Sequence, residues 1–174
     1  RLPRVFMAAL LGGALSLSGF LLQTFFANPI AGPYVLGISS GAKMVVALTM
    51  IIFLKYWGAP SSYALIIAAF AGALISTGFI LLLSKKANSV ASLLVGGIMI
   101  GYICSAITDF IVTFAEDSDI VNLHGWSQGS FSGMSWSNVQ VAAILVSITL
   151  LLTVLLSKPI GAYQLGEAYA QSMG

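Results

Sequence analysis

The sequence predicts an all-α membrane protein, with about five transmembrane helices and additional short interfacial helices. Of its 174 residues, 59% are hydrophobic and 7% are charged, whereas a soluble globular domain carries about 25% charged residues. So few charges cannot cover the surface of a water-soluble monomer. Several apolar stretches also have the ~20 residues that a membrane-spanning helix needs. The composition therefore excludes an aqueous catalytic domain of ordinary size.

Five apolar stretches define the predicted spans. They cover residues 5–26, 34–54, 63–83, 92–114 and 139–156. Runs such as residues 75–83 are apolar at every position, whereas the strands of a membrane barrel alternate in polarity over about ten residues. We therefore predict helices. Short connectors, such as the one around Asn28-Pro29, make consecutive spans antiparallel neighbours.

Two segments outside the spans are predicted to lie at the membrane surface. Residues 115–138 form a polar outer loop that is too long for a plain turn, and we expect a short interfacial helix within it. After the last span, Lys158-Pro159 is predicted to end the helix, and a short polar helix is expected over residues 165–173 on the cytoplasmic side. Such a helix can lie on lipid headgroups or insert into a groove of another protein.

Basic residues near the span ends predict the orientation, because Lys and Arg are enriched on the cytoplasmic side of a membrane. The cytoplasmic set would be Lys43, Lys85, Lys86 and Lys158. The outer set would be Arg1, Arg4 and Lys55. With five spans, residue 1 lies outside and residue 174 lies inside. The N-terminal pair Arg1 and Arg4 is either an interfacial anchor or a pair of guanidinium groups suited to binding carboxylates on an incoming protein.

Small residues recur at a spacing of four and form three smooth helix stripes. They are Ala8, Gly12 and Ser16, then Ala68, Gly72 and Ser76, then Gly97, Gly101 and Ser105. Such stripes let helix backbones approach closely in lipid. We predict helix packing at Gly12, Gly72, Gly97 and Gly101, with a pore lining or a dimer seam as alternatives.

Ionisable residues give few candidates for chemistry. Asp109 lies within a predicted span, where a carboxylate costs at least ~2.5–3.5 kcal/mol at the bilayer centre, so it is either a pathway residue or a structural carboxylate near the outer surface. His124 is the only histidine and has no carboxylate at motif spacing, which argues against a zinc site or a catalytic triad. We predict no enzyme activity, no metal site and no cofactor. The net charge of +2, with no basic run longer than Lys85-Lys86, also excludes nucleic acid as a partner.

Several ordered motifs resemble one transporter family. They are Arg1-Leu2-Pro3-Arg4, Gly13-Ala14-Leu15-Ser16-Leu17-Ser18-Gly19, Gln23-Thr24-Phe25-Phe26-Ala27-Asn28-Pro29-Ile30-Ala31, Leu36-Gly37-Ile38-Ser39-Ser40-Gly41-Ala42, Gly129-Ser130-Phe131 and Leu165-Gly166-Glu167. In this order and spacing they resemble the permeases of iron-siderophore, haem and vitamin B12 ABC importers, the FecCD-like type II importers. Those permeases have about ten spans, and the chain resembles spans two to six. We therefore expect it to be a piece of a longer permease.

The resemblance implies partners and roles for particular residues. The expected partners are cytoplasmic ABC ATPase subunits, an extracytoplasmic substrate-binding protein, a second permease copy and the lipid bilayer. The implied binding-protein docking residues are Arg1 and Arg4. The implied ATPase-coupling residues are Leu165, Gly166, Glu167, Ala170 and Gly174. The implied gate is Ser39, Ser40 and Gly41, and the pathway candidates on the fourth span are Met99, Tyr102 and Ser105, together with Asp109.

The resulting functional prediction is a multi-pass permease subunit of an ATP-driven importer in the bacterial cytoplasmic membrane. It would pass an iron chelate or a related metal complex by alternating access, while partner chains hydrolyse ATP. One alternative is a secondary transporter or channel, which would require a paired ion-coupling site at the midplane. Asp109 alone is a poor candidate for such a site. The other alternative is a membrane scaffold fragment that does not transport.

Overall fold

The computed structural model describes residues 1–58, 61–86 and 89–172, and every regular element in these ranges is a helix. The helices are α1 (Leu2–Phe26), α2 (Ile38–Trp57), α3 (Ser62–Ser84), α4 (Val90–Val112), α5 (Asp117–Gln128), α6 (Trp136–Leu155), α7 (Ser157–Gln164) and α8 (Glu167–Ser172). The predicted all-α fold class is confirmed. The coupling candidate Gly174 and the neighbouring Met173 lie outside the described residues, as do the side chains of Lys55 and Glu167.

Four helices are long and apolar enough to cross a membrane. They are α1, α4, α6 and the part of α3 from Tyr63 to Ser84, and the searched part of α2 adds a shorter apolar helix, Ile38–Ile51. Only 6% of the apolar window of α1, and likewise of α6, is buried within the chain. Their apolar side chains must therefore be covered by lipid or by other protein helices.

Local capping explains where several helices begin. Ser61, Ser89 and Ser135 each accept a hydrogen bond from the backbone N–H three residues later, which satisfies one free donor at the start of α3, α4 and α6. α2 begins at Ile38 rather than at the predicted residue 34. Gly37 precedes it in a left-handed conformation, with φ 71°, and its N–H donates to the carbonyl of Tyr34 at 3.3 Å. Because residues 34–37 form this turn, the helix begins four residues later than predicted.

The polar segment between the fourth and fifth predicted spans contains α5, so the short helix expected in this segment is present. Asp117 and Asp119 lie in its first turn, where a negative charge interacts favourably with the helix dipole. Leu123 in α5 belongs to a buried cluster with Val46, Ala47, Met50 and Ala68. α5 is therefore anchored on α2 by apolar packing.

The chain divides into two compact units. The first unit contains Arg1–Gly32 and Ser130–Gly174, and the second contains Pro33–Gly129. The first unit thus holds α1, α6, α7 and α8, and the second holds α2 to α5.

In the first unit, α1 and α6 run in the same direction. Near their first residues, the rings of Phe6 and Trp136 have centroids 5.7 Å apart. Near the end of α1, Phe25 lies against Tyr163 of α7, with ring centroids 6.3 Å apart. Neighbouring parallel helices cannot be joined by a short turn. If both cross the membrane, the chain between them must cross it an odd number of times.

The segment after α6 differs from the prediction. α6 ends at Leu155, and α7 begins at Ser157 and contains Lys158 and Pro159 in its first turn. Proline is tolerated there because the backbone N–H groups of a first helical turn have no partner inside the helix. The predicted end of the last span near Lys158-Pro159 agrees with the end of α6 at Leu155. The same two residues also lie in the first turn of α7, a helix that the sequence did not predict.

Candidate functional site

The first turn of α2 lies directly against α4 at two glycines. A Cβ atom added to Gly37 would lie 2.6 Å from the backbone N of Gly101 and 2.7 Å from the carbonyl oxygen of Gly97. Neither distance is possible for a real side chain. The left-handed φ of Gly37 also favours glycine. The two backbones can approach only because Gly37, Gly97 and Gly101 all lack side chains.

The other side of the same turn lies against α3. A Cβ atom added to Gly41 would overlap the Oγ atom of Ser76 and would lie 2.9 Å from the carbonyl oxygen of Gly72. Ser76 is 1% exposed, and its hydroxyl contacts the Sγ atom of Cys104 on α4 at 3.9 Å. α2 is thus held between α3 and α4, with its N-terminal turn in backbone contact with both.

This packing leaves an open cleft of about 320 Å³ beside the first turn of α2. Its lining comes from the turn before α2, from α2 itself and from α4: Tyr34, Val35, Gly37, Ser40, Ile98, Gly101, Tyr102 and Ser105. The hydroxyl of Ser105 donates a hydrogen bond to that of Ser40 at 3.5 Å. Tyr34 and Tyr102 are 71% and 70% exposed, so their rings are available to a ligand or to a neighbouring subunit.

The eight lining residues carry no charge, and their polar side-chain groups are hydroxyls. Such a surface can contact a large ligand through rings and weak hydrogen bonds, but it lacks the groups that grip an ion or activate a nucleophile. The cleft therefore suits contact with a ligand that must also be released.

The structure brings several predicted site residues together. Ser40 of the predicted gate shares the cleft with Tyr102 and Ser105 of the predicted pathway. Gly41 contacts α3 instead, and Ser39 is exposed. Met99 and Asp109 are also exposed on α4, outside the residues that line the cleft.

The predicted packing glycines behave differently from one another. Gly72, Gly97 and Gly101 each lie at a close helix contact, whereas nothing in the described chain lies within 4 Å of a Cβ atom placed on Gly12. The stripe on α1 thus faces no close neighbour here, and a packing role for Gly12 would require a helix from outside this chain.

The remaining predicted residues lie in the first unit. Arg1 and Arg4 are exposed at the start of α1. Leu165 is exposed, and Gly166 has φ 110°, which only glycine adopts readily. The carbonyl of Gly166 accepts a hydrogen bond of 3.0 Å from the N–H of Ala170, so the implied coupling residues begin α8.

Sequence reasoning missed four residues of the cleft. Tyr34, Val35, Gly37 and Ile98 line it but were not singled out. A usable signal was present for Gly37, because it precedes Gly41 by four residues, the same spacing that identified the three stripes. Tyr34 and Val35 had no such signal, since they lie in a turn whose path is set by contacts with α4.

Comparisons with known proteins agree on one family. The model of the FecCD transport family matches residues 1–174. The chain is 34% identical over 175 residues to the hemin transport system permease protein HmuU of Yersinia pestis. It is 36% identical over 174 residues to the vitamin B12 import system permease protein BtuC of Salmonella paratyphi A and of Citrobacter koseri.

These matches cover 100% of the chain and 52% of each relative, so the chain spans about half the length of these relatives. A solved structure described as an inward-facing conformation of a metal-chelate type ABC transporter superimposes with a TM-score of 0.85. That alignment has 23% sequence identity and covers 100% of this chain and 55% of the other, and it shows a shared fold. Together, the family match, the two kinds of permease relative and the helical fold show that this chain belongs to the FecCD transport family.

Proposed function

We propose that the chain forms part of the permease subunit of an ABC importer that carries a metal chelate of the haem, vitamin B12 or iron-siderophore kind across the bacterial cytoplasmic membrane. Family membership supports the transport role, and the named permeases import hemin and vitamin B12. The observation that carries the proposal is the uncharged cleft between the first turn of α2 and α4. Ser39, Ser40 and Gly41 would form the gate, and Tyr102 and Ser105 would line the pathway.

We infer alternating access, and the packing of the proposed gate supports it. The first turn of α2 contacts its neighbours through backbone atoms at Gly37 and Gly41. Close backbone packing transmits displacement, because it leaves no flexible side chain to absorb a movement of α3 or α4. A shift of α3 relative to α4 would therefore move Ser40 relative to Ser105 and widen or narrow the cleft.

The proposed topology has five spans, with residue 1 outside and α7 and α8 in the cytoplasm. The parallel arrangement of α1 and α6 supports it. Three crossings by α2, α3 and α4 would return the chain to the outer side before α6 starts. Arg1 and Arg4 would then face the extracytoplasmic binding protein, and α8 with Leu165, Gly166, Glu167 and Ala170 would face the ATPase.

The energy source in this proposal is external to the chain. Two cytoplasmic ATPase subunits would bind a pair of permease subunits, and ATP hydrolysis would drive the gate through the coupling segment. The alternative of an ion-driven transporter requires a coupling site for the ion at the membrane midplane. Asp109 is exposed and lies outside the lining of the cleft, which does not support that alternative.

Reconstituted transport tests the proposal directly. The full-length permease, its ATPase and its binding protein would be placed in proteoliposomes, and accumulation of haem, cobalamin and a ferric siderophore would be measured in parallel. We expect one of these chelates to accumulate with ATP and not with a non-hydrolysable analogue. Uptake that follows a proton or sodium gradient without ATP would overturn the proposal, as would failure to accumulate any metal chelate.

A further inference from the structure

A contact in the first unit joins α7 to the end of α1. The side-chain amide of Gln164 donates a hydrogen bond of 3.5 Å to the hydroxyl of Thr24, although 140 residues separate them. Beside it, the rings of Tyr163 and Phe25 have centroids 6.3 Å apart and planes inclined at 45°. Two consecutive residues on each helix thus form one small contact, which we name the α1–α7 clamp.

The clamp lies next to the proposed coupling segment along the chain. Tyr163 and Gln164 end α7, and only Leu165 and Gly166 separate them from the start of α8 at Glu167. The N–H groups of Leu165 and Gly166 donate to the carbonyls of Ala162 and Tyr163, each at 3.1 Å. The link between the clamp and α8 is therefore short and hydrogen-bonded, and a displacement of α8 would act on α7.

On its other side, the clamp lies next to the connector that leads to the proposed gate. Thr24 and Phe25 are in the last turn of α1, which closes at Ala27. The N–H groups of Ala27 and Asn28 donate to the carbonyls of Thr24 and Gln23, each at 3.2 Å. Thr24 thus takes part in both the clamp and the helix cap.

The connector itself is held by local hydrogen bonds. The side-chain oxygen of Asn28 accepts from the N–H of Ile30 at 2.9 Å, and its carbonyl accepts from the N–H of Ala31 at 3.1 Å. Ala27 is the only non-glycine residue with positive φ in the part of the chain that the structure describes, and Ala31 is 1% exposed. A connector with these turns is stiffer than a free loop.

We propose that Tyr163 and Gln164 are positioning residues that tie the coupling segment to the end of α1, so that movement of α8 reaches the connector that leads to the gate. This inference rests on the proposed function. Without the clamp, α7 and α8 would be attached to the transmembrane helices mainly through the chain at Leu156. ATP hydrolysis could then move α8 without moving the gate.

The test measures the number of chelate molecules imported per ATP hydrolysed. It uses the full-length transporter with its ATPase and binding protein in proteoliposomes. The variants are Tyr163→Ala, Phe25→Ala and the pair, with Tyr163→Phe as the conservative variant and Phe20→Ala as a matched exposed aromatic on α1. In the alanine variants at Tyr163 and Phe25, we expect this ratio to fall about fivefold or more, which is the lower end of typical coupling effects. Their basal ATP hydrolysis should be unchanged. Tyr163→Phe and Phe20→Ala should couple normally, and the double variant should be no worse than the worse single variant.

A covalent clamp keeps the proposal falsifiable if the alanine variants fail to assemble. In a Cys104→Ser background, Thr24→Cys and Gln164→Cys would be oxidised to a disulfide. Since the proposal has α7 and the end of α1 moving together, the cross-linked transporter should import with normal stoichiometry. Loss of import that is restored by reduction would overturn the proposal, as would normal stoichiometry in the double alanine variant. If the unmodified transporter imports no chelate, the proposed function fails instead.

Discussion

The hydroxyl of Ser105 on α4 lies 3.5 Å from the hydroxyl of Ser40 in the first turn of α2. Ser40 comes from a motif implied to form a gate, and Ser105 comes from a helix implied to line a pathway. The hydrogen bond is long and exposed, so it contributes little stability. It joins the first turn of α2 to α4 across the lining of the cleft.

Filling the cleft should block transport. Ser40→Trp places a large ring in a space of about 320 Å³, and we expect chelate uptake by the reconstituted full-length transporter to fall about tenfold or more, because the ring would occupy space that the chelate needs. Ser84→Trp is the matched control, since Ser84 is exposed at the end of α3, does not line the cleft and has no proposed role in the gate. Equal loss of uptake in the two variants would contradict a role for the cleft.

The close contact between α2 and α3 should be intolerant of a single methyl group. Gly72→Ala would place a Cβ atom 2.9 Å from the Cα atom of Ala42, and overpacking of this kind costs about 1–3 kcal/mol. Gly78→Ala on the same helix meets nothing within 4 Å and should be neutral or slightly stabilising. Thermal unfolding in detergent measures both, and equal midpoints would show that the two helices can separate freely.

Replacing Gly37 should cost more stability than its left-handed backbone conformation alone explains. Gly37→Ala adds a left-handed strain of about 1–2 kcal/mol and also a clash with α4, where the added atom would lie 2.6 Å from the N of Gly101. Ala27 is an exposed residue that also has a left-handed backbone, with φ 46° and ψ 37°, so the stability gained by Ala27→Gly reports the strain alone. The loss caused by Gly37→Ala beyond that gain measures the cost of the backbone contact, and changes of equal size in the two variants would disprove it.

Charge reversal at the start of α1 should weaken docking of the binding protein. Arg1→Glu with Arg4→Glu replaces two exposed guanidinium groups with carboxylates that would repel acidic residues on the partner. We expect a loss of affinity that is largest at low ionic strength, since salt screens exposed charges, measured by surface plasmon resonance on the transporter in nanodiscs. Lys85→Glu with Lys86→Glu, placed on the opposite side in the proposed topology, should leave docking unchanged.

Glu167 at the start of α8 should affect coupling rather than ATP hydrolysis. In the proposed function α8 contacts the ATPase, so Glu167→Ala should reduce uptake while basal hydrolysis continues. Glu116→Ala, in the segment before α5, is the control for loss of a carboxylate elsewhere. Unchanged uptake by the full-length Glu167→Ala transporter would remove this residue from the coupling segment.

Much of the fold could be predicted because lipid imposes simple requirements. A span must be helical and about 20 residues long, which identifies α1, α3, α4 and α6 from composition alone. Spacing of small residues also identified Gly72, Gly97 and Gly101 as packing sites, since residues four apart share one helix face. Gly12 has the same spacing without a close neighbour, because spacing reports a face and not the helix that covers it.

The cleft and the clamp could be predicted only in part. Ser40, Tyr102 and Ser105 came from family resemblance, whereas Tyr34 and Val35 are positioned by a left-handed turn at Gly37 that depends on contact with α4. Pro159 predicts the end of a helix, yet it lies in the first turn of Ser157–Gln164, where a helix accepts proline. Contacts between residues far apart in sequence, such as Thr24 with Gln164, leave no periodic pattern.

The parallel pairing of α1 and α6 also bears on how the protein is made. Residues 27–135 lie between the two helices, and at about 5–20 residues per second a ribosome needs roughly 5 to 20 s to add them. Throughout that interval Trp136 and Tyr163, which contact Phe6 and Phe25 from later helices, do not yet exist. Biogenesis of this half of the molecule therefore includes a waiting period in which α1 is exposed to lipid, to insertion factors and to premature pairing with the wrong neighbour.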